Sequence, residues 1–331
     1  AAIADFWVSK AANGTGRDGV AHILHVIPPD EYATGDDSVY TNSVAKIALD
    51  FATRAAKVVG RAPTPAWANA SSAIPVLFDA RRQYHPEYRN YTFGQKIKQA
   101  ARAQPPRAAA LATPLRPCPP RTCPPHTHTA ARAARRNQAD VVLLSYPLMV
   151  PMSDAVRDND LAAYEPATDS NGPAMTWGMH AIGHLESGNA SKAAALFNRS
   201  FANVQQPFAV WTETPTGGTT NFLTGAGGFL QTVLFGYPGL RILENALRLR
   251  PKLIEGTTAM RVRGVQYRGN TFELWYDDTT LRLTLRAQQH AACVLCVVDE
   301  GVRKNRRCVR KAGDEAQSEL GAGRVLSVSC E

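Results

Sequence analysis

The chain lacks an apolar run long enough to cross a bilayer, and it lacks a legible targeting leader. No stretch of its 331 residues approaches the roughly 20 consecutive apolar residues that a membrane-spanning helix needs, so we expect no membrane partner. It begins without Met, and Ile3, Phe6 and Trp7 follow helical spacing. We therefore expect a missing N-terminus, which leaves the compartment unassigned, with the cytoplasm slightly favoured.

Cysteine is scarce, and acidic residues are absent from one long stretch. Six cysteines without regular spacing define no disulfide framework. The formal net charge is +9, but residues 100–138 hold seven arginines and no aspartate or glutamate, so the rest of the chain carries only +2. Because that stretch interleaves no aromatic side chains and has no helical or strand period, we expect no nucleic-acid partner.

Residues 100–138 are predicted to be a low-complexity, disordered insert, since they also contain eight of the 22 prolines. Removing them joins Gln99 to Ala139 and restores an amphipathic segment. That continuity favours a translated intron or misjoined exon, and a genuine loop is the alternative. A metal site is a minor alternative, because the potential ligands lack zinc-finger spacing; they are Cys118, Cys123, His126 and His128.

Up to about Tyr237, the pattern predicts helices joined alternately by short turns and long loops. Gly188-Asn189 separates two antiparallel neighbours, and the arrangement favours a helical toroid whose loops gather at one mouth. The predicted helices are 1–12, 42–59, 64–72, 153–165, 173–187, 190–203 and 225–235.

After Pro238 the pattern becomes that of strands. Two alternating runs flank Arg268-Gly269-Asn270, which predicts a hairpin, and Leu281, Leu283 and Leu285 alternate with polar residues. Residues 238–331 are therefore predicted to form a small antiparallel β domain. Cys293 and Cys296 lie in an apolar run, whereas a redox CxxC motif should open a helix, so we expect them to pack in the core.

A stiff loop carries the first candidate catalytic carboxylate. Pro28 and Pro29 fix the backbone just before Asp30 and Glu31, and a helix follows with Asn42 as a plausible N-cap. A carboxyl held at the mouth of a helix suits a general acid, although acids are also favoured at helix starts without any catalytic role. That helix should bury one stripe, comprising Val44, Ala48, Phe51, Ala55 and Val58.

The second candidate carboxylate is Glu213, which follows Trp211 before a Gly- and Thr-rich loop. An indole face stacks on the apolar side of a sugar ring while a neighbouring carboxylate moves protons. Most glycoside hydrolases use two carboxyl groups in this way. Glu31 and Glu213 are therefore the candidate pair.

Taken together, these segments resemble glycoside hydrolase family 65, over residues 1–99 and 139–286. The matching segments are Pro28-Pro29-Asp30-Glu31-Tyr32, Ser38-Val39-Tyr40-Thr41-Asn42, His85-Pro86-Glu87-Tyr88, Lys98-Gln99, Gly172-Pro173-Ala174-Met175-Thr176-Trp177, Arg199-Ser200-Phe201-Ala202-Asn203, Val210-Trp211-Thr212-Glu213, Asn221-Phe222-Leu223-Thr224-Gly225 and Gly227-Gly228-Phe229-Leu230-Gln231.

The resemblance implies a mainly α fold. Residues 1–237 would be the C-terminal part of an (α/α)6 barrel, interrupted by the insert, and residues 238–331 a small antiparallel β-sandwich domain. It also implies an inverting α-glucosidase that removes glucose from glucosyl-galactosyl-hydroxylysine of collagen-type substrates, with no cofactor and no metal.

The resemblance further implies the roles of individual residues. Glu31 matches the general acid and Glu213 the general base, and an inverting pair leaves about 6.5–9.5 Å between the two carboxyls. Lys98 and Gln99 match a pair that holds the glucose hydroxyls. Trp211, expected to stack on the sugar near Glu213, is the third candidate substrate-binding residue.

Three alternatives stay open: an α-glucoside phosphorylase, a trehalase or kojibiose-type hydrolase of the same family, and an inactive fragment. For a phosphorylase, Thr- and Gly-rich residues 212–219 offer donors for phosphate, but the carboxylate of Glu213 opposes an anion. His180 and His184 are expected at a helix surface or in the core rather than at a metal, and the Gly225–Gly228 segment is expected to permit close helix packing rather than to bind phosphate. No role is predicted for Glu87.

Overall fold

The structure is a computed structural model, and it describes residues 1–13, 16, 19–25, 35–95, 139–289, 293–301, 306–320 and 324–330. The predicted insert 100–138, with its potential metal ligands, lies outside the described residues. So do Glu31, Lys98 and Gln99.

All seven predicted helices are present, with ends shifted by a few residues. The helices are α1 (Ala2–Asn13), α2 (Val39–Val58), α3 (Pro65–Ala73), α4 (Val142–Ser145), α5 (Asp154–Tyr164), α6 (Met175–Glu186), α7 (Ala190–Ser200) and α8 (Leu223–Gln231), and α8 continues into a π-helical turn, Thr232–Gly236. As predicted, α6 and α7 are separated at Gly188, which has φ +79°, and Asn189, whose side chain accepts from the Lys192 N–H. No helix among the described residues is both long and apolar enough to cross a membrane.

The prediction for the start of α2 is wrong. Ser38, not Asn42, is the N-cap, and its hydroxyl accepts from the Thr41 N–H. Asn42 lies inside the first turn, where its amide donates to the Pro75 carbonyl at 2.8 Å.

The prediction for the buried face of α2 is correct only in part. Val44 and Ala48 are partly buried and pack against the core, but Phe51 and Val58 are exposed. The fully buried positions include Ala45 and Leu49. Both faces repeat at helical spacing, and the docking of α1 and α3 selects between them.

Three antiparallel sheets complete the fold, and one was not expected. The strands are β1 (Val204–Gln205), β2 (Val210–Thr214), β3 (Gly217–Thr220), β4 (Arg241–Ile242), β5 (Ala246–Leu249), β6 (Met260–Tyr267), β7 (Asn270–Tyr276), β8 (Thr280–Gln288), β9 (Leu295–Asp299), β10 (Arg306–Val309), β11 (Glu315–Glu319) and β12 (Leu326–Cys330). The sheet β1-β2-β3 falls within the segment predicted to contain only helices and loops.

The other two sheets share one core. Their strand orders are β10-β9-β12-β5-β4 and β11-β8-β7-β6. Phe272 and Leu283 of the four-stranded sheet pack in the same buried cluster as Leu249 and Val328 of the five-stranded sheet. The predicted hairpin about Arg268-Gly269-Asn270 is present, because β6 and β7 pair on either side of it.

The prediction for Cys293 and Cys296 is incomplete. Cys296 is buried as expected, but it forms a disulfide with Cys308, which lies directly opposite on β10. Cys293 forms a second disulfide with Cys330 of β12. Sequence spacing could not reveal these pairs, because cross-strand neighbours are set by sheet register.

A buried ion pair joins the β region to the helices. The Arg241 guanidinium, 2% exposed, pairs with Glu186 at the last position of α6. Another of its nitrogens donates to the carbonyls of Phe235 and Leu240, both at 2.8 Å. The end of α6 is thereby held against the first strands of the five-stranded sheet.

We expect the Cys296–Cys308 disulfide to stabilise the β region measurably. It closes a loop of sequence separation 12, so a Cys296→Ser/Cys308→Ser double variant should lose about 3 kcal/mol of unfolding free energy. Denaturant unfolding monitored by circular dichroism measures this loss. Adding reductant should destabilise the wild-type chain more than the double variant; an equal response would contradict the pairing.

Candidate active site

Asp37 ties together the described residues on either side of 26–34, the segment that contains Glu31. Its backbone pairs with Ile23, since the Asp37 N–H donates to the Ile23 carbonyl at 2.9 Å and the Ile23 N–H donates to the Asp37 carboxylate at 3.0 Å. The same carboxylate accepts from His22 Nδ1 at 2.7 Å and from Arg89 Nε at 2.9 Å. The described residues that flank 26–34 are therefore held close together.

The Asp37 carboxyl is fully buried and ionised. Burial raises the pKa of Asp37, but hydrogen bonds from Arg89, His22 and Asn42 outweigh burial and hold the pKa below its ordinary value. A buried carboxylate with this many donors fixes the surrounding backbone, because moving away would leave a charge without partners.

The segment His85-Pro86-Glu87-Tyr88 is anchored by two further buried carboxylates. The His85 N–H and ring nitrogen both contact the carboxylate of Asp160 on α5, each at 2.8 Å. Glu87 is fully buried and accepts from the backbone N–H groups of Asp140 at 3.0 Å and Val141 at 3.5 Å. Glu87, for which no role was predicted, thus holds residues 140 and 141, which follow the predicted insert.

The backbone of Glu213 is fixed at the N-terminus of α6. Its carbonyl accepts from the Ala174 N–H and from the Asn203 side-chain amide, both at 3.0 Å. Asn203 is buried, and its own carbonyl accepts from the Thr212 hydroxyl at 2.9 Å. The strand that carries Glu213 is therefore held on both sides.

The Glu213 carboxylate is held by the turn that follows it. One carboxylate oxygen accepts from the Thr219 N–H at 3.1 Å and the Thr219 hydroxyl at 3.2 Å. Gly218 has φ +86°, and a Cβ there would lie 2.8 Å from the same oxygen. The turn requires glycine at this position, both for its conformation and for the close approach of the carboxylate.

Trp211 lies two residues before Glu213 on β2. Its half-buried ring packs edge-on against Phe229 of α8, with ring centroids 5.9 Å apart. A Cβ at Gly225 would lie 3.1 Å from the indole nitrogen, which has no hydrogen-bond partner among the described residues. As predicted, this glycine permits close packing.

The structure places two of the five predicted site residues, and these two share a strand. Glu213 and Trp211 both lie on β2. Glu31, Lys98 and Gln99 are outside the described residues, so the separation between the two carboxyls stays a prediction.

The two predicted helix histidines have no metal partner among the described residues, where no cluster of three potential ligands occurs. His180 is buried, and burial lowers its pKa to about 4, so it is neutral near pH 7. His184 pairs with Glu165 at 2.8 Å. Both match the expected structural role.

Sequence reasoning assigned no role to Asp37, and it did not predict that Asn203 and Thr219 hold Glu213. The signal for Thr219 was present, because Pro215-Thr216-Gly217-Gly218 between threonine-rich runs is typical of a hairpin turn. Asp37 had no comparable signal. Its partners His22 and Arg89 are 15 and 52 residues away in the sequence.

Comparison with known proteins identifies the family. Residues 1–205 match the Glycosyl hydrolase family 65 central catalytic domain. The chain belongs to glycosyl hydrolase family 65.

The relatives it matches are longer proteins. Protein-glucosylgalactosylhydroxylysine glucosidase of Danio rerio is 41% identical over 286 residues, which are 86% of this chain and 38% of that protein. The Gallus gallus protein of the same name is 37% identical, covering 86% and 35%. Kojibiose hydrolase of Mucilaginibacter mallensis is 31% identical, covering 80% and 33%. This family 65 chain thus spans well under half the length of these relatives.

A solved structure shares the fold. It is a putative kojibiose phosphorylase from human microbiome, with a TM-score of 0.67 and 13% sequence identity, and the match covers 96% of this chain and 45% of that one. At this identity the likeness concerns the fold alone. It extends over the helices and the antiparallel sheets.

We expect Asp37→Asn to destabilise the chain by about 3 kcal/mol, because Arg89 loses its buried partner. The effect should depend on pH. Since the folded pKa is lowered, the ionised carboxylate contributes its full stability above the unfolded pKa of about 3.9, and this contribution disappears as pH falls through the folded pKa. Urea unfolding at several pH values measures the difference.

Asp36→Asn is the matched control for this prediction. Asp36 is adjacent, but its side chain is 34% exposed and its ion pair with His25 is long, so the change should have a small effect. A loss in Asp37→Asn that stays constant down to the lowest pH would contradict an ionised Asp37.

Proposed function

We propose that this chain carries the catalytic carboxylates of an inverting α-glucosidase that removes glucose from glucosyl-galactosyl-hydroxylysine. The observation that carries this proposal is Glu213, held by its own backbone at the start of α6 and by Thr219 at its carboxylate. The family supports the reaction class, and the similarity to glucosidases named for this glycan supports the substrate.

In this mechanism Glu31 is protonated and Glu213 is ionised. Glu31 donates its proton to the glycosidic oxygen, and the bond from that oxygen to the glucose anomeric carbon breaks. Glu213 takes a proton from a water molecule that attacks the same carbon from the opposite face. The products are glucose of inverted anomeric configuration and the galactosyl-hydroxylysine acceptor with a free hydroxyl.

We assign the remaining predicted residues to glucose binding. Trp211 would contact the apolar side of the sugar, since it precedes Glu213 on the same strand and its ring is half exposed. Lys98 and Gln99 would hold the glucose hydroxyls, as the family resemblance implies. No metal or cofactor enters the scheme.

We further propose that residues 1–237 belong to an (α/α)6 barrel and residues 238–331 to a β-sandwich domain. The antiparallel pair α6 and α7 supports the barrel, and the core shared by two antiparallel sheets supports the sandwich. The shared fold with a putative kojibiose phosphorylase agrees with both.

Hydrolysis is favoured over phosphorolysis by the contacts of Thr219. A phosphate group next to the sugar would need donors in this turn. The Thr219 N–H and hydroxyl already donate to the Glu213 carboxylate, whose charge repels a phosphate dianion. Trehalose and kojibiose are the alternative substrates, since hydrolases of those names are also similar to this chain.

We expect Glu213→Gln to lower kcat by about 10²–10⁴-fold with little change in KM, because the amide cannot accept a proton from water. Glucose release from glucosyl-galactosyl-hydroxylysine, kojibiose and trehalose measures the loss and ranks the substrates. Glu244→Gln, an exposed carboxylate on the β region, is the matched control and should retain full activity.

Two results would contradict the proposal. One is α-glucose as the first product seen by NMR, because inversion at an α-glucoside releases β-glucose. The other is a rate that requires phosphate and yields glucose 1-phosphate. An inactive chain that nevertheless folds would favour the inactive-fragment alternative.

We expect Thr219→Val to act through Glu213. Loss of the hydroxyl removes one of the two hydrogen bonds that hold the Glu213 carboxylate, so the carboxylate is positioned less well for the attacking water. We expect about a tenfold loss of kcat with little change in KM, as for one charge-assisted hydrogen bond. Thr219→Ser keeps the hydroxyl and should restore kcat, and steady-state kinetics measure both variants. A loss that serine does not rescue would indicate a structural effect only.

A further inference from the structure

A cavity of about 420 Å³ lies where the helices meet the five-stranded sheet. Arg157 of α5 and Glu186 of α6 line it on the helical side, and Arg248 of β5 and the adjacent Arg250 line it on the other side. The cavity has no part in the mechanism described above.

The cavity is remote from the candidate catalytic base. The Glu213 carbonyl accepts a hydrogen bond from the Ala174 N–H at the N-terminus of α6, whereas Glu186 is the last residue of the same helix. Twelve helical residues span about 18 Å. A ligand in the cavity would therefore lie at the opposite end of α6 from Glu213.

Positive charge is concentrated around this cavity. The side chain of Arg157 is 10% exposed, and the buried Arg241 lies directly behind Glu186. Glu186 is shared by Arg241 and Arg248. Arg157 is already paired with Asp154, which is 83% exposed, and with Asp158. The excess positive charge therefore comes from Arg241, Arg248 and Arg250, which face the single carboxylate-bearing residue Glu186.

Two of these arginines retain buried donors without partners. The Nε atoms of Arg248 and Arg250 are buried and form no hydrogen bond among the described residues. One terminal nitrogen of Arg248 donates to the Glu186 carboxylate, and one terminal nitrogen of Arg250 donates to the Glu186 carbonyl at 3.1 Å. Unpaired buried donors are unfavourable, and guanidinium groups match the oxygens of phosphate and sulfate in pairs.

We propose that this cavity binds an oxyanion, either free or carried by a sugar. The ligand group is a phosphate or sulfate whose oxygens accept from Arg248 and Arg250. The cavity is larger than a free phosphate needs, so a sugar-borne group also fits. This site is independent of the proposed hydrolytic function.

Calorimetric titration of the full 331-residue chain tests the proposal. The probes are inorganic phosphate, glucose 6-phosphate and glucose, at constant ionic strength set with chloride. We expect phosphate and glucose 6-phosphate to bind in a way that depends on Arg248, whereas glucose, which the proposed active site accepts, should bind independently of Arg248. Arg248→Gln should weaken phosphate binding by at least about tenfold, since a charged bidentate partner is lost. The exposed Arg263→Gln, with the same charge change, should alter it less than about twofold.

Further variants separate this site from the active site. Arg248→Lys keeps the charge and should bind phosphate with intermediate affinity. It also provides a test of the site if Arg248→Gln does not fold. Glu213→Gln should leave phosphate binding unchanged. The proposal is overturned if phosphate binds no better than chloride or if Arg248→Gln and Arg263→Gln bind phosphate alike. It is also overturned if Arg248→Gln weakens glucose binding as much as phosphate binding, or if phosphate binding changes only in Glu213→Gln.

Discussion

The close approach of α6 and α8 is the constraint on which the rest of the structure depends. A Cβ at Gly178 would lie 2.9 Å from the Thr232 hydroxyl and 3.1 Å from the Gly228 carbonyl. Only glycine permits that contact, and it leaves α6 enclosed along most of its length. The Glu213 backbone is hydrogen-bonded at one end of this helix, and Arg241 forms an ion pair with Glu186 at the other end. The candidate base and the β region are therefore both positioned by α6.

Buried carboxylates hold the loops that secondary structure does not. Asp37, Glu87 and Asp160 are almost completely buried, and each accepts hydrogen bonds from backbone N–H groups of a loop distant in sequence. Such loops would otherwise leave buried donors unsatisfied. The same device fixes the described residues on either side of 26–34 and the segment that begins at residue 139.

Helix positions and the β region could be predicted from the sequence, because hydrophobic period, glycine stops and hairpin turns are local signals. The buried face of α2 could not be predicted in full. One stripe of side chains runs from Val44 to Val58 and another from Ala45 to Ala56, and both repeat at helical spacing. Only docking against Trp7 and Trp67 decides which of these side chains are buried. The disulfide partners of Cys293 and Cys296 were hidden for a related reason. They depend on which strands neighbour each other, and strand order does not follow chain order.

For the candidate site, the sequence by itself determined the family, the residue types and the pairing of Glu213 with Trp211 on one segment, because motifs of this kind lie within a few consecutive residues. The tertiary structure alone decided which groups hold those residues. Asp37 meets Arg89 from 52 residues away, and Glu87 meets Asp140 from 53 residues away. Contacts over such separations form only when packing brings the segments together, and no local pattern records them.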